Sequence, residues 1–401
     1  MIKKIAQSFL FQRALISGLI YVISLYMAKK MGAVEYGSLA FTIFFIKSLP
    51  AMNLGISYGF IFHSYSTTHK AYEASYISGY FLISLIALII GSVLVSPYIG
   101  LFGLMLLAIF ILEPVLKMKR IFLFSLFPEF FLISSCALSY SLWGDTGVKY
   151  AALVFVILLT QVGFTIYLYR KLIVQSLTLR KKNLTLSWKQ TRDLMFKGYT
   201  SYLYQLALFF FLFTDRYFLH QYYPDKILGV CMLAFQLCQA SLYIMSSWNF
   251  SSIIEIGELI KANELSLSLI VKKLLKTAVV GILPLIVVYF VLLQIESIYF
   301  KDYPDLSLVF AVIASGLYFS NLASSISPIL FFFEKQLASS CILFACVFVV
   351  FISYFLSGPD SRSYIMVLEY NYSALAVASI FTIFYALYVL HDVLSKKEVL
   401  T

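Results

Sequence analysis

The sequence predicts an all-α polytopic membrane protein with about twelve transmembrane helices in two six-helix halves. Of its 401 residues, 61% are hydrophobic and only 12% are charged, about half the ~25% charged share of soluble domains. The apolar residues form continuous runs of about 20 residues, long enough to cross a bilayer, and the basic residues cluster between these runs. These figures exclude soluble globular, disordered and disulfide-scaffold classes.

The apolar runs are longer and more continuous than the ten-residue alternating strands of a membrane β-barrel, so each run predicts a helix. The first run lacks a small-residue cleavage site and predicts a span, not a signal peptide. The twelve expected spans are residues 10–28, 37–62, 76–95, 99–116, 121–140, 150–169, 199–219, 227–248, 277–294, 307–330, 337–356 and 371–390.

The distribution of basic residues orients these spans. With the N-terminus inside, 22 of the 30 Lys and Arg residues lie on the cytoplasmic side or at span ends facing it, seven lie outside or at outer span ends, and only Lys47 falls deep within a span. The positive-inside rule therefore predicts that both termini are cytoplasmic. Because the basic residues are spread over many short loops, the net charge of +11 indicates topology and argues against nucleic-acid binding.

The longest basic connection divides the chain into halves. We expect an N-terminal six-helix bundle over residues 1–169, a basic cytoplasmic linker over 170–197, and a C-terminal six-helix bundle over 198–401. Gly37 and Gly229 each open the second helix of their half, which fits a parallel repeat. The segment Ser251–Lys276 mixes isoleucines with charged residues and predicts an interfacial amphipathic helix.

No enzyme chemistry, cofactor site or metal site is predicted. The five cysteines all lie in expected spans without a CxxC pattern, and the four histidines lie in loops or at span ends. The sequence contains no nucleotide-binding glycine-rich loop, nucleophile elbow or HExxH motif. Polar residues inside the spans are the stronger signal, because each is costly in lipid.

Lys47 is the foremost of these polar residues. It follows Gly37 by ten residues, which places it about 15 Å deep, near the middle of the hydrocarbon core. Pro50 predicts a bend one turn later, and Asn53 continues the irregular stretch. A broken helix with a cation at the midplane suits an anion site. Alternatively, the lysine extends to the membrane edge or pairs with a buried acid such as Glu129.

The remaining polar residues leave two interpretations each. Glu129 is either a binding site for a proton or cation, or the structural partner of a basic side chain. Arg13 is either a second cation at the inner mouth or a positive-inside anchor. Asp215 and Arg216, near the outer end of the seventh span, predict a helix-end ion pair that stabilises structure or gating. Intramembrane amides either line an aqueous path or tie helices together; the candidates are Gln205, Gln236 and Asn321.

Several short motifs resemble one membrane protein family. The motif residues are Met-Gly-Ala-Val-Glu-Tyr-Gly at 31–37, Asn-Leu-Gly-Ile-Ser-Tyr-Gly at 53–59, Lys-Gly-Tyr at 197–199, Thr-Asp-Arg-Tyr-Phe-Leu at 214–219 and Leu-Gly-Val-Cys-Met-Leu-Ala at 228–234. Together they resemble the O-antigen and capsule flippases (Wzx-like) of the polysaccharide exporter branch of the MOP superfamily. Ala33 replaces the proline common in that family, and Cys231 stands near a position where tyrosine is common.

The resemblance implies two six-helix bundles around a central cavity, a MATE/MOP-like fold that works by alternating access. It implies translocation of an undecaprenyl-pyrophosphate-linked oligosaccharide across the bacterial inner membrane, coupled to a proton or sodium gradient. Lys47 and Arg13 would then bind the pyrophosphate, and the amide candidates with Asn53 would bind the glycan. Glu129 would be the ion-coupling residue.

Two alternatives to this function stay open. A cation-coupled small-molecule exporter of the same superfamily would favour intramembrane acids, of which Glu129 is the deepest expected. A membrane enzyme of glycan assembly, such as a polysaccharide polymerase, would be expected to carry a large outside loop, and the outside loops here are short.

Overall fold

The computed structural model describes residues 9–48, 54–66, 188–357 and 363–398, with five single positions between 76 and 137. The regular elements within these ranges are all α-helices, which confirms the predicted all-helical polytopic fold class. The chain divides into two compact units, Met1–Tyr26 with Ile43–Tyr202, and Met27–Thr42 with Leu203–Thr401. The third to sixth expected spans and the linker up to residue 187 lie outside the described residues, apart from those single positions.

The first helix, α1 (Phe9–Ser48), covers the first expected span and the beginning of the second. Its only interruption is Gly32, whose φ of 76° and ψ of 172° suit a residue without a Cβ atom. The expected connection over residues 29–36 is shorter in the structure, because Ala33 through Tyr36 are helical and the break is confined to a kink at Gly32. The next helix, α2 (Ile56–Ser66), begins after Leu54 (φ 52°) and Gly55 (φ 84°), at the end of the irregular stretch that the sequence predicted.

Three helices follow along the described chain: α3 (Trp188–Tyr222), α4 (Asp225–Ser241) and α5 (Tyr243–Lys261). Helix α3 contains the whole seventh expected span and extends beyond both of its ends. Helices α4 and α5 together contain the eighth span, and they are bent by 63° at Leu242.

The last part of the described chain forms α6 (Leu267–Tyr299), α7 (Leu306–Ile326), the short α8 (Pro328–Phe332), α9 (Gln336–Ser357) and α10 (Tyr364–Glu398). Within the described ranges, α6, α7, α9 and α10 are long and apolar enough to cross a membrane, and the bent pair α4–α5 is a fifth candidate. Helix α3 does not reach the same apolar content, because tyrosines, Gln205 and the Asp215–Arg216 pair interrupt its apolar run.

The expectation of one interfacial amphipathic helix over Ser251–Lys276 was wrong. The segment forms the end of α5 and the start of α6, joined by a turn in which Asn263 adopts a φ of 57°. Its residues Ile256 and Ile270 are fully buried in a cluster with Ile326 of α7 and Leu390 of α10, whereas Leu275 is exposed. The isoleucine face of the segment therefore packs between helices.

Candidate functional site

The Asp215–Arg216 pair is the most unusual feature of the second unit. Both side chains have no exposed surface, and Arg216 is the largest fully buried side chain of the described residues. The pair lies within α3, which continues to Tyr222, so these residues are not at the helix end that the sequence analysis expected. The predicted ion pair itself is present, with Arg216 Nη1 3.0 Å from Asp215 Oδ1.

Arg216 finds several of its partners on its own helix. Neighbouring helical residues point in different directions, so the arginine side chain must fold back to reach the carboxylate. Its Nη1 donates to Asp215 Oδ1 and to the carbonyl oxygen of Leu212, one turn earlier. The guanidinium carbon lies 4.0 Å from the ring centroid of Phe235 on α4, within the range of a cation–π contact. These contacts offset the cost of burying the charge.

Helix α10 completes this environment with Asn371 and Tyr372, both fully buried. Asn371 Nδ2 donates to the carbonyl oxygen of Phe211 at 3.0 Å. Tyr372 interacts electrostatically with Asp215, although no hydrogen bond of normal geometry reaches Asp215 Oδ2 or Tyr372 Oη from the described residues. We call Asp215, Arg216, Asn371 and Tyr372 the buried polar cluster.

The buried polar cluster cannot contact a glycan in this structure, because none of its side chains reaches a surface. The acid and the base neutralise each other, and the described residues contain no group of three His, Cys, Asp or Glu side chains that could hold a metal ion. Asp215 Oδ2 and Asn371 Oδ1 are acceptors without a described donor, so the cluster can accept a proton or a water-sized donor. A structural or gating role for Asp215 and Arg216 stays a prediction.

A second set of contacts ties residues 27–42 to the rest of the same unit. Tyr36 is buried and its hydroxyl donates to Gln236 Oε1 on α4. The Tyr303 hydroxyl donates to the carbonyl oxygen of Ala28 at 2.7 Å, and the rings of Tyr36 and Tyr303 meet edge-on at 6.4 Å. Burial, with Asp302 adjacent, raises the pKa of Tyr303, so its hydroxyl keeps the proton that it donates.

Four glycines of the motifs, Gly37, Gly55, Gly198 and Gly229, lie where two backbone segments approach closely. In the second unit, a Cβ atom on Gly37 would lie 2.6 Å from the backbone nitrogen of Gly229, closer than real Cβ atoms approach. In the first unit, a Cβ atom on Gly55 would lie 2.6 Å from the carbonyl carbon of Gly198. Small residues permit such approach and favour helix association in lipid, where hydrophobic burial does not drive it.

The other candidate residues fall into three groups. Lys47 and Arg13 lie on α1, but their side chains are outside the described part of the structure. Asn53, Pro50 and Glu129 lie outside the described residues altogether. The described amides Gln205, Gln236 and Asn321 are all partly exposed.

Two of these three amides connect helices in this structure. Gln236 accepts from Tyr36, and Asn249 Nδ2 donates to the backbone carbonyl oxygen of Asn321 at 2.6 Å and lies 3.5 Å from its side-chain Oδ1. These contacts match the alternative in which intramembrane amides tie helices together. Gln205 makes no such described bond.

Sequence reasoning missed Asn371, Tyr372 and Tyr303. An asparagine inside the last expected span could have drawn attention to Asn371, because an amide in lipid requires a partner. Nothing in the sequence distinguishes Tyr372 or Tyr303 from the other tyrosines, since their roles depend on contacts with residues far away in the chain.

Comparisons with known proteins identify the fold. No family model matches the chain, and no curated protein matches it. Among solved structures, a MATE protein in its straight conformation aligns with a TM-score of 0.61 at 12% identity, covering 98% of this chain and 96% of that one. The eukaryotic MATE transporter AtDTX14 aligns at 0.62 and 13% identity, covering 95% and 96%.

A third structure, a mutant of the Vibrio cholerae MATE transporter VcmN, aligns with a TM-score of 0.51 at 13% identity and covers 96% of both chains. All three alignments extend over nearly the whole chain, so the similarity is not confined to a few helices. The chain therefore has the fold of the MATE transporters, as its motifs predicted.

Proposed function

We propose that this protein is a flippase of the bacterial inner membrane that translocates an undecaprenyl-pyrophosphate-linked oligosaccharide by alternating access. Both termini are cytoplasmic in this proposal. Residues 1–169 and 198–401 form two six-helix bundles around a central cavity, joined by the cytoplasmic linker 170–197. A proton or sodium gradient drives the cycle, with Glu129 as the coupling residue.

The agreement between fold and motifs carries this proposal. The motifs that resemble polysaccharide exporters contain Gly37, Gly55, Gly198 and Gly229, and these glycines lie where backbones cross most closely. The fold is that of proteins described as transporters. The motif positions thus have a physical role in a fold that suits export, which supports a resemblance otherwise resting on short sequence matches.

A cation-coupled small-molecule exporter is the second candidate, and the fold fits it equally. One observation favours the flippase. Asp215 is the only fully buried carboxylate of the described residues, and Arg216 already neutralises it. An exporter of cationic drugs would require intramembrane acids free to bind its substrate. A polysaccharide polymerase is less favoured, because the similar solved structures are transporters.

Deleting the gene in its host tests the function directly. A flippase deletion accumulates lipid-linked repeat units in the cytoplasmic leaflet and loses surface glycan. Single repeat units on the surface would instead indicate a polymerase. Unchanged glycan with increased sensitivity to cationic dyes would indicate the small-molecule exporter.

Lys47→Ala tests the anion site within the proposed cavity. A pyrophosphate in an apolar cavity needs a cation, and Lys47 is the one expected at the midplane. The variant should insert normally and fail to restore glycan to the deletion strain. Lys335→Ala, which changes an exposed lysine between α8 and α9, is the matched control and should restore it. Full restoration by Lys47→Ala would remove Lys47 from the site.

A further inference from the structure

Two lysines near the beginning of α6 carry positive charges without an acidic partner. Lys272 and Lys276 are both exposed, and neither forms an ion pair with a residue that the structure describes. Their neighbour Lys273 is different, since its Nζ lies 2.5 Å from Glu255 Oε2 on α5. Lysines four residues apart share one helix face and repel each other. This face therefore suits an anion supplied from outside the protein.

An aromatic ring lies beside this lysine pair. Lys276 Nζ is 4.9 Å from the ring centroid of Trp248, a half-buried residue of α5. The contact brings an amphipathic ring and a cation together just before the apolar run of α6 begins at Thr277. Tryptophan and lysine are both favoured at the headgroup level of a bilayer. The arrangement therefore marks the membrane–water boundary on this side of the helix.

The same helix face continues into an apolar stripe. Four aliphatic residues lie on the face of Lys272 and Lys276 at intervals of four residues, and each is more than half exposed: Leu275, Val279, Leu283 and Val287. Helix α6 has 33 residues and is about 50 Å long, which exceeds the ~30 Å hydrocarbon core. Its lysine-bearing turns therefore extend beyond the hydrocarbon core while the stripe faces the acyl chains.

We propose that Lys272, Lys276 and Trp248 bind the phosphate headgroup of an anionic phospholipid whose acyl chain lies along this stripe. The ligand class follows from the order of the residues. The two lysines would bind the phosphodiester at the membrane–water boundary. The aliphatic side chains of the stripe extend from the lysines toward the membrane interior, where they would contact the acyl chain. A free phosphate would use only the lysines, whereas a phospholipid complements the whole face. The count of basic residues assigns this site to the cytoplasmic leaflet.

This site is separate from the proposed transport function. The lysines lie on an exposed face that merges with lipid-facing residues, and Lys47 has no part in it. Loss of the lipid site would leave the flippase proposal standing, and failure of the flippase proposal would leave the lipid site standing.

The fluorescence of Trp248 provides the test. The chain has three tryptophans, and the double variant Trp143→Phe/Trp188→Phe leaves only Trp248. This protein is reconstituted into vesicles of unlabelled phosphatidylcholine. Increasing fractions of a lipid brominated near the headgroup are then included, either phosphatidylglycerol or phosphatidylcholine. Brominated phosphatidylglycerol should quench Trp248 at a lower fraction, with about a five-fold preference for each lysine that contributes. Added salt should reduce the preference.

Substitutions at the lysines locate the effect. Lys272→Gln and Lys276→Gln should each lower the preference for phosphatidylglycerol by about five-fold, and Lys276→Arg should retain it. Lys301→Gln, which removes an exposed lysine beyond the other end of α6, is the matched control and should leave the preference unchanged. Since all these positions are exposed, we expect the variants to fold.

Three results would overturn the proposal. Equal quenching by the two brominated lipids would show that the site does not select a charged headgroup. An unchanged preference in both glutamine variants would place the selecting charge elsewhere. Displacement of brominated phosphatidylglycerol by an equimolar amount of undecaprenyl pyrophosphate would assign the site to a transport substrate.

Discussion

Tyr303 donates its hydroxyl proton to the carbonyl oxygen of Ala28, which lies 275 positions away in the sequence and 2.7 Å away in space. The bond joins the loop after α6 to the helical turn of α1 that precedes Gly32. Because Tyr303 is 2% exposed, water cannot replace it as the donor. This contact joins residues 27–42 to the rest of the second unit.

Replacing Tyr303 by phenylalanine should destabilise the protein by about 1 kcal/mol, because the Ala28 carbonyl loses its donor while the ring packing remains. The apparent melting temperature in detergent, measured at one scan rate, should fall by about 1–3 °C. Tyr299→Phe is the control, since the Tyr299 side chain is 55% exposed. A melting temperature equal to that of the parent would show that this hydrogen bond contributes no stability.

Removing one member of the buried ion pair should cost much more. Asp215→Leu leaves the Arg216 charge buried without its carboxylate, a change that destabilises by about 3–5 kcal/mol. We expect little monodisperse protein by fluorescence-detected size-exclusion chromatography. The double variant Asp215→Leu/Arg216→Leu should recover part of the yield, because it buries no charge. Arg216→Leu completes the comparison. If the loss of yield in the double variant equalled the sum of the losses in the two single variants, the two charges would not be coupled.

Adding a methyl group at the glycine crossing should separate two backbones. Gly37→Ala places a Cβ atom against the backbone of Gly229, where only backbone movement can relieve the overlap. We expect destabilisation of about 1–3 kcal/mol, measured as thermal aggregation in detergent. Gly18→Ala is the matched control, because nothing lies within 4 Å of its Cβ position. It should be neutral or slightly stabilising, since alanine is the better helix former. Equal behaviour of the two variants would contradict the crossing.

The N-terminus of α7 depends on an acid from the preceding helix. Asp305 precedes α7 in a left-handed conformation, and its side chain makes no capping bond. Glu296 of α6 supplies the cap instead, with its carboxylate oxygens 2.8 Å from Leu306 N and 3.0 Å from Ser307 N. Glu296→Ala should therefore cost about 1–2 kcal/mol in thermal stability, from the lost bonds and the lost charge at the helix N-terminus.

The control for this change is Asp302→Ala, which removes an exposed acid from the same loop. We expect its melting temperature to match that of the parent protein. Hydrogen exchange at Leu306 and Ser307 should accelerate only in Glu296→Ala. Unchanged exchange at these amides would show that the carboxylate does not cap α7.

The fold class and the helices of the second half could be predicted from the sequence. Each run from residue 277 onward is a single apolar stretch. Helices α6, α9 and α10 each contain an expected span, and α7 with α8 covers the span 307–330. Runs of this kind are set by local composition, because the bilayer requires every backbone group to be bonded within its own segment.

The boundaries were less predictable where one residue changes the geometry. The kink at Gly32 needs a single residue with a positive φ, and the apolar pattern does not show how short such a break is. The segment Ser251–Lys276 has the periodicity of a surface helix, but its isoleucines pack against α7 and α10. Periodicity reports that a helix has an apolar face, and it does not report whether lipid or protein covers that face.

The candidate site was only partly predictable for a similar reason. Asp215 and Arg216 are adjacent in sequence, so their pairing followed from the motif. Their complete burial depends on Phe235, Asn371 and Tyr372, which approach from two other helices. Which amides would bond to other helices, as Gln236 does, could not be known before the helices were placed.

The local character of the Asp215–Arg216 pair has a consequence for biosynthesis. A helix that enters the bilayer with an isolated charge at depth pays a large penalty at the moment of insertion. Here the arginine reaches Asp215 and the Leu212 carbonyl on its own helix, so the pair is neutral before any other helix arrives. Asn371, which donates to the carbonyl oxygen of Phe211, lies 160 residues further along the chain and is translated much later. This local pairing should therefore lower the cost of placing α3 in the membrane before the partners that bury it are synthesised.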